Sequence, residues 1–294
     1  MRNIPVELLR EQIESVLTAW GMDAALVHTT ADIMIETDLA GVESHGVSML
    51  WEYDQWRLRG KVNLHARFRI VRENAATALV DADAGLGTNP IAFAAPARRH
   101  RPFVLDMATS TVAANKVRIY DMKGKALPPG WVVDEHGAAV RDAGVGMDIV
   151  FRRPKDQGGG LAPLGGTADM ASHKGYGLAM LAHILGGALS GGSFSPIRVK
   201  TQQPGDPDNI GHFFMALDPT TFRPAGAFED DLDAAIDVLH ATPAVDPSQP
   251  VLVPGDPEAV TRDERLRTGI PISNPLAAKI REVCDRSGAA FLLT

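Results

Sequence analysis

A single cysteine, Cys284, occurs in the 294 residues, so no disulfide can close within the chain. No run of about 18 apolar residues is present, which leaves no candidate for a membrane-spanning helix. The opening residues, Met-Arg-Asn-Ile-Pro-Val-Glu-Leu-Leu-Arg, carry charges where a secretory leader has its apolar core. Basic residues are in the minority, with 29 Lys and Arg against 36 Asp and Glu and a net charge of −7, so the chain lacks the basic face that a phosphate backbone requires. Nucleotide-binding signatures are missing too. There is no Gly-x-Gly-x-x-Gly after a strand and no Gly-Lys-Ser/Thr, and Gly85-Leu86-Gly87-Thr88 only begins like the first. Neither His-Glu-x-x-His nor paired-cysteine spacing occurs, so no metal site is expected. These absences predict a cytoplasmic, soluble protein that binds neither nucleic acid nor membrane.

What is present is enough for a large core, as one big domain or two lobes: 45% of the residues are hydrophobic and 22% charged. The 28 glycines cluster, with Gly158–Gly160, Gly165, Gly166, Gly175, Gly177, Gly186, Gly187, Gly191 and Gly192 in one third of the chain. Such density predicts close backbone packing or a ligand pressed against main chain.

The first sixty residues read as helices. Val6, Leu9, Ile13, Val16, Leu17 and Trp20 recur at three- and four-residue spacing, Gly21 stops the helix, and Asp23 is positioned to cap the next. Ser44-His45-Gly46 interrupts the second helix, and a third runs from Val47 to Leu58. From Phe68 the pattern turns extended: Phe68–Val71 and Ala78–Val80 flank a turn and predict a hairpin. Asn89–Phe93 and Pro102–Asp106 read as strands, and Thr111–Met122 as a helix. Lys174–Leu189 predicts a helix whose Gly and Ala give a smooth face for close approach. His212–Asp218 reads as a central strand, Phe228–Leu239 as a helix, Val251–Val253 as a strand and Pro275–Cys284 as the last helix. Helices followed by strands and interspersed helices make an α/β, or α+β mixed, fold.

Two segments carry chemistry. In Glu43-Ser44-His45-Gly46-Val47, Ser44 can orient the imidazole, Gly46 removes a shielding side chain, and imidazole is suited to giving up a proton near neutral pH. The plainer reading has Ser44 merely capping the third helix. Asp106 to Ser110 end an apolar strand in small hydroxylated residues, where amides at the start of the next helix, helped by the hydroxyls of Thr109, Ser110 and Thr111, can meet an anion and Lys116 can add a charge. The plainer reading is a strand end without a ligand.

Five segments, in order, resemble the type-2 malate/L-lactate dehydrogenases, a family of NAD(P)-dependent reductases distinct in fold from the Rossmann enzymes. They are Asp38–Val47 (DLAGVESHGV), Thr88–Pro96 (TNPIAFAAP), Phe103–Lys116 (FVLDMATSTVAANK), Pro163–Leu178 (PLGGTADMASHKGYGL) and Val253–Pro271. The resemblance spans most of the chain. It implies a helical lobe, residues 1–67 joined by 256–294, and a mixed-sheet NAD(P)-binding domain over 68–255, assembled as a homodimer. It further implies that His45, with Ser44 beside it, gives a proton while hydride passes between the nicotinamide and a small carboxylate, either a 2-oxoacid/2-hydroxyacid or a cyclic imino acid. Cofactor contacts are implied at Asp106, Met107, Ala108, Thr109, Ser110, Thr111 and Val112, at His173 and Lys174, and at Pro254, Gly255 and Asp256. Substrate contacts are assigned to Tyr53 and Lys116.

The chain departs from the family pattern in three places. Gly87 runs straight into Thr88 where family members carry further helix and strands, so the cofactor domain is shortened at that point. Met49 stands where many members have an arginine suited to a bidentate grip on carboxylate, which leaves Lys116 or Arg118 as candidate cations. Asn115 replaces a glycine before Lys116. The shortening keeps an alternative open: a non-catalytic dimeric homologue with a truncated cofactor domain.

Overall fold

The computed structural model describes residues 2–75, 77–81, 89–152, 157–194, 197, 201, 203, 206 and 209–293. The junction at Gly87–Thr88 and the Gly85–Thr88 turn lie outside them. The chain divides into two compact units, one of residues 1–84, 94–104 and 218–294, the other of 85–93 and 105–217.

The first unit is built on helices. Helix α1 (Val6–Ala19) buries Leu9, Ile13, Val16 and Leu17, the positions that the periodicity selects. It packs with α2 (Ala24–Leu39) and with the last helix, α9 (Asn274–Ser287); α3 (Met49–Leu58) lies against α9, and α8 (Asp256–Thr268) against α2. Each fully buried Leu or Ile contributes about 1.5–3 kcal/mol, and Leu9, Ile13, Leu17, Ile35, Leu39, Leu50, Ile270 and Ile280 form one cluster. A short strand β1 (Arg2–Ile4) pairs antiparallel with β8 (Ile270–Ile272), tying the beginning of the chain to its late segment. Gln12, fully buried, fixes the tail: its amide nitrogen, Nε2, donates to the Ala290 carbonyl at 3.0 Å, and its Oε1 accepts the Leu292 N–H at 2.6 Å. Asp23 precedes α2 as expected, but its carboxylate turns to His65 and Arg67, both at 2.8 Å, and makes no cap bond.

The predicted hairpin forms as β2 (Arg69–Glu73) and β3 (Ala78–Asp81), antiparallel, with Phe68, Ile70, Val71 and Val80 exposed. Strands β4 (Ile91–Ala95) and β5 (Phe103–Met107) pair with each other. Helix α7 (Ala227–His240) places the buried Asp233 under the turn after β4, where its carboxylate accepts the N–H groups of Arg99 at 2.9 Å and His100 at 3.1 Å.

In the second unit, α4 (Ala114–Met122) and α5 (Ala143–Met147) pack Val117, Leu127, Val132, Met147 and Ile149 into a smaller core. Two short strands, β6 (Val132–Val133) and β7 (Gly160–Leu161), pair antiparallel beside it. Helix α6 (Ser172–His183) continues into one π turn, Ile184–Ala188. Gly175 admits backbone, as the smooth face predicts: a Cβ there would lie 2.1 Å from the Leu164 carbonyl oxygen, while Gly177 faces open space.

The mixed helix and strand class stands, but two strand assignments do not. His212–Asp218 forms no strand, and Phe214 is 89% exposed. Val251–Val253 likewise forms no strand. A strand is made by a hydrogen-bonded neighbour and not by its own apolar run. Each sheet among the described residues has two strands, so a central position is lacking.

Candidate active site

Helix α2 ends at Leu39, and residues 40–48 form the turn that leads into α3. His45 lies at its exposed tip, with its backbone N–H on the Val42 carbonyl at 3.0 Å. The Ser44 hydroxyl sits 2.8 Å from His45 Nδ1. Ser44 makes no cap to α3, whose N-cap is Ser48, so the plainer reading of Ser44 is set aside in favour of the contact with the ring.

Gly46 has a different purpose from the one read in the sequence. It is buried, and a Cβ there would fall 2.0 Å from Asp38 Oδ1. The glycine makes room for the Asp38 carboxylate, whose Oδ2 accepts the Val47 N–H at 2.7 Å. Asp38 is 2% exposed, and its pKa is raised to about 6. Burial is the main cause; the Val47 N–H and Arg265 oppose it, and Glu43 adds to it. From α8, Arg265 donates through Nη1 to the Asp38 backbone carbonyl at 2.6 Å and through Nη2 to Glu43 at 2.5 Å. Sequence reading missed both Asp38 and Arg265. The first stood in the DLAGVESHGV segment, but nothing in that segment says that the carboxylate folds back across nine residues.

The other residues assigned to this unit are spread more widely. Tyr53 is half-buried on α3, 5.6 Å from the Trp56 ring and against the apolar cluster, and burial pushes its phenol pKa up. Met49 packs against the same cluster. Gly255, at φ +103°, starts α8, and Asp256 follows as its first residue. The Asp256 carboxylate meets the Val253 N–H at 2.9 Å and His240 Nε2 at 2.7 Å. Burial works to raise its pKa, but these partners outweigh that and hold it below the ordinary range. The Pro254 carbonyl accepts the Val104 N–H at 3.0 Å.

In the second unit, Asp106 and Met107 close β5, while Thr109, Ser110 and Thr111 form an irregular segment before α4. The helix begins at Ala114, three residues later than predicted, because the backbone ahead of it is already bonded elsewhere. The Thr111 N–H donates to Ala162, and the Thr109 carbonyl accepts from Leu164. The hydroxyls donate as well, Thr109 to Asn89, Ser110 to Val112 and Thr111 to Pro163. Thr109 and Ser110 line a cleft of about 500 Å³ with Asn89, Pro163, Tyr176 and His183. His173 and Lys174 are exposed in the first turn of α6, which no side chain caps. Lys116 is exposed on α4, and Arg118 is stacked on Phe151 at 4.7 Å.

A family model for malate/L-lactate dehydrogenase matches residues 4–88 and 84–281. The chain belongs to the malate/L-lactate dehydrogenase family. It is 30% identical to a malate dehydrogenase of Pyrococcus horikoshii over 359 aligned positions, covering 98% of this chain and 96% of the relative. A Delta(1)-pyrroline-2-carboxylate reductase of Ancylobacter novellus is 31% identical over 203 residues, 68% of this chain and 53% of that protein. The fold agrees: the crystal structure of malate dehydrogenase from Entamoeba histolytica superimposes with a TM-score of 0.86 at 20% identity, covering 98% of this chain and 99% of that one. The two family-matched stretches meet at 84–88, and 359 aligned positions against 294 residues leave at least 65 of the Pyrococcus relative without a counterpart.

Proposed function

We propose that the protein is an NAD(P)-dependent oxidoreductase of a small 2-oxoacid/2-hydroxyacid or cyclic imino acid, with His45 as proton donor. Family membership supports the oxidoreductase class, since the relatives are dehydrogenases and a reductase and such family members use pyridine nucleotides in general. The observation that carries the role of His45 is the 2.8 Å contact between Ser44 Oγ and Nδ1 on an exposed ring. In the imidazolium form Nδ1–H donates to Ser44, which leaves Nε2–H directed outward. After Nε2 gives its proton to the substrate oxygen or imine nitrogen, Ser44 holds the remaining proton on Nδ1, so a single tautomer is left.

The second unit fits a dinucleotide. Its cleft of about 500 Å³ lies within the range of roughly 300–1,000 Å³ usual for ligand pockets. At the start of α6 no side chain caps the helix, and although the Ser172 and Lys174 N–H groups bond the Thr167 and Ala171 carbonyls, the Lys174 ammonium is exposed and suits a phosphate. The hydroxyls of Thr109, Ser110 and Thr111 already donate to carbonyls, so this segment would shape the cleft and the α6 terminus would bind charge. Bound nicotinamide supplies or accepts the hydride at C4. Asp106 to Val112, His173, Lys174 and Pro254 to Asp256 are retained as the cofactor contacts, Tyr53 and Lys116 as the substrate contacts, and the homodimer as the assembly.

Two observations favour a second reading. With at least 65 positions fewer than its relative and His212–Leu217 outside any strand, the chain is also suited to a non-catalytic role as a dimeric binding protein. Melting with NADH and with NADPH separates the two. A rise in Tm with either nucleotide, together with turnover of a 2-oxoacid or cyclic imine, supports the enzyme; no shift and no turnover support the alternative.

A further inference from the structure

The turn that carries His45 is fastened on two sides by groups that the proton transfer does not consume. Beneath it, the Asp38 side chain reaches from the last turn of α2 to the Val47 N–H at 2.7 Å, closing residues 39–46 into a loop. Gly46 seats directly on that carboxylate, with no space for a Cβ. Beside it, α8 supplies a clamp. The Arg265 side chain, 12% exposed, holds the Asp38 carbonyl with one nitrogen and the Glu43 carboxylate with another. One guanidinium therefore bridges the end of α2 and a residue two positions before His45. A turn closer to the helix, a Cβ on Gly41 would meet Thr261 Cγ2 at 3.0 Å, so α8 also limits the start of the loop. Ser48 Oγ closes the far side on the Glu43 carbonyl. The backbone on either side of His45 is thus restrained, while its ring is left exposed with Ser44 on Nδ1.

An isolated Arg–Glu pair at a surface adds little to stability. Arg265 is mostly covered and bonds the backbone as well as a carboxylate, a geometry that fixes position more than it adds energy. We propose that Asp38 and Arg265 are positioning residues for proton transfer, holding the His45 loop so that Nε2 meets the substrate at one fixed place. This rests on His45 being the proton donor. A displacement of about 1 Å at a reacting group can lower a rate about a hundredfold, so the effect belongs in kcat and not in binding.

The test compares Arg265→Ala, Arg265→Lys, Asp38→Ala, Asp38→Asn and His45→Ala with the wild-type chain, each assayed well below its own Tm. The expected result for Arg265→Ala and Asp38→Ala is a fall in kcat of tenfold or more with KM changed less than threefold. The melting rise given by NADH or NADPH should be unchanged. Arg265→Lys keeps one donor and Asp38→Asn keeps an acceptor for Val47, so each recovers severalfold over the alanine variant. The solvent deuterium isotope effect on kcat should grow in Arg265→Ala, because proton transfer has become slower; a merely structural loss does not move it. If His45→Ala is inactive while Arg265→Ala and Asp38→Ala stay within twofold of wild type, or lose activity with an unchanged isotope effect, the positioning role is overturned and His45 stands. If His45→Ala turns over normally, or the wild type turns over nothing with either nucleotide, the functional reading falls and the positioning role with it.

Discussion

Replacing Asp38 by asparagine should stabilise the protein at high pH and not at low pH. Asp38 is 2% exposed with a pKa raised to about 6, against 3.8 for the unperturbed group. Between these values the folded chain holds a proton that the unfolded chain releases, so stability falls as pH rises from about 4 to about 6 and stays lower above that. At about 1.4 kcal/mol per unit, the change between pH 4 and pH 8 comes to about 2.5 kcal/mol, and about 1.4 kcal/mol of it remains between pH 5 and pH 8. The amide of the Asp38→Asn variant carries no charge to desolvate, and its carbonyl oxygen still accepts the Val47 N–H, so it mimics the protonated side chain. Urea unfolding of both proteins at pH 4, 5 and 8 gives the variant-minus-wild-type difference, in which every other titrating group cancels. That difference should move in favour of the variant by about 2–3 kcal/mol on going from pH 4 to pH 8. A constant difference across the range, or one that moves against the variant, refutes the inference that the ionised carboxylate is held at a cost beneath the His45 loop.

Three further outcomes concern the frame around the site. Asp54 is fully buried on α3 between Arg57 and Arg286, at 2.7 and 2.8 Å, so Asp54→Ala should cost about 1–3 kcal/mol in urea unfolding by removing an acceptor shared by both guanidinium groups, although Arg286 keeps Glu282. Gln12→Leu leaves the Leu292 N–H and Ala290 carbonyl unmet and should cost about 1–3 kcal/mol, read as a lower urea midpoint with hydrogen exchange increased at Leu292. Asp233 behaves oppositely to Asp38. Burial works to raise its pKa, but the N–H groups of His100 and Arg99 overcome that and lower it, so its contribution is present above about pH 4 and lost as pH falls further. Asp233→Asn should therefore lower the urea midpoint at pH 7, with the deficit shrinking as pH falls below about 4.

How far the sequence could be read depends on the range of the interactions involved. Leu9, Ile13, Val16 and Leu17 show their burial because a helix repeats its core contacts every turn, and α7 and α9 extend only a few residues beyond the predicted spans. The β2–β3 hairpin was legible for the same reason, its pairing being local. His212–Asp218 was not: its apolar run resembles a central strand, but pairing depends on distant neighbours, and the chain is shortened relative to its Pyrococcus relative. The start of α4 was placed three residues early because nothing local shows that Thr109 and Thr111 bond residues 162–164. At the site, Ser44 beside His45 was visible as adjacent residues. Asp38 and Arg265 were not, since one acts across nine residues and the other across more than two hundred. The need for glycine at position 46 is not local either: the Asp38 carboxylate fills the space a Cβ would take.

The role of His45 comes down to one assay, oxidation of NADH and NADPH by the purified chain and by His45→Ala over a panel of 2-oxoacids and cyclic imines. The wild type should oxidise at least one nucleotide with at least one substrate. His45→Ala should lose about a hundredfold or more in kcat while giving the same nucleotide-dependent rise in Tm. Undiminished turnover in His45→Ala would contradict the proton-donor assignment, and no turnover or nucleotide binding in the wild type would contradict the oxidoreductase itself.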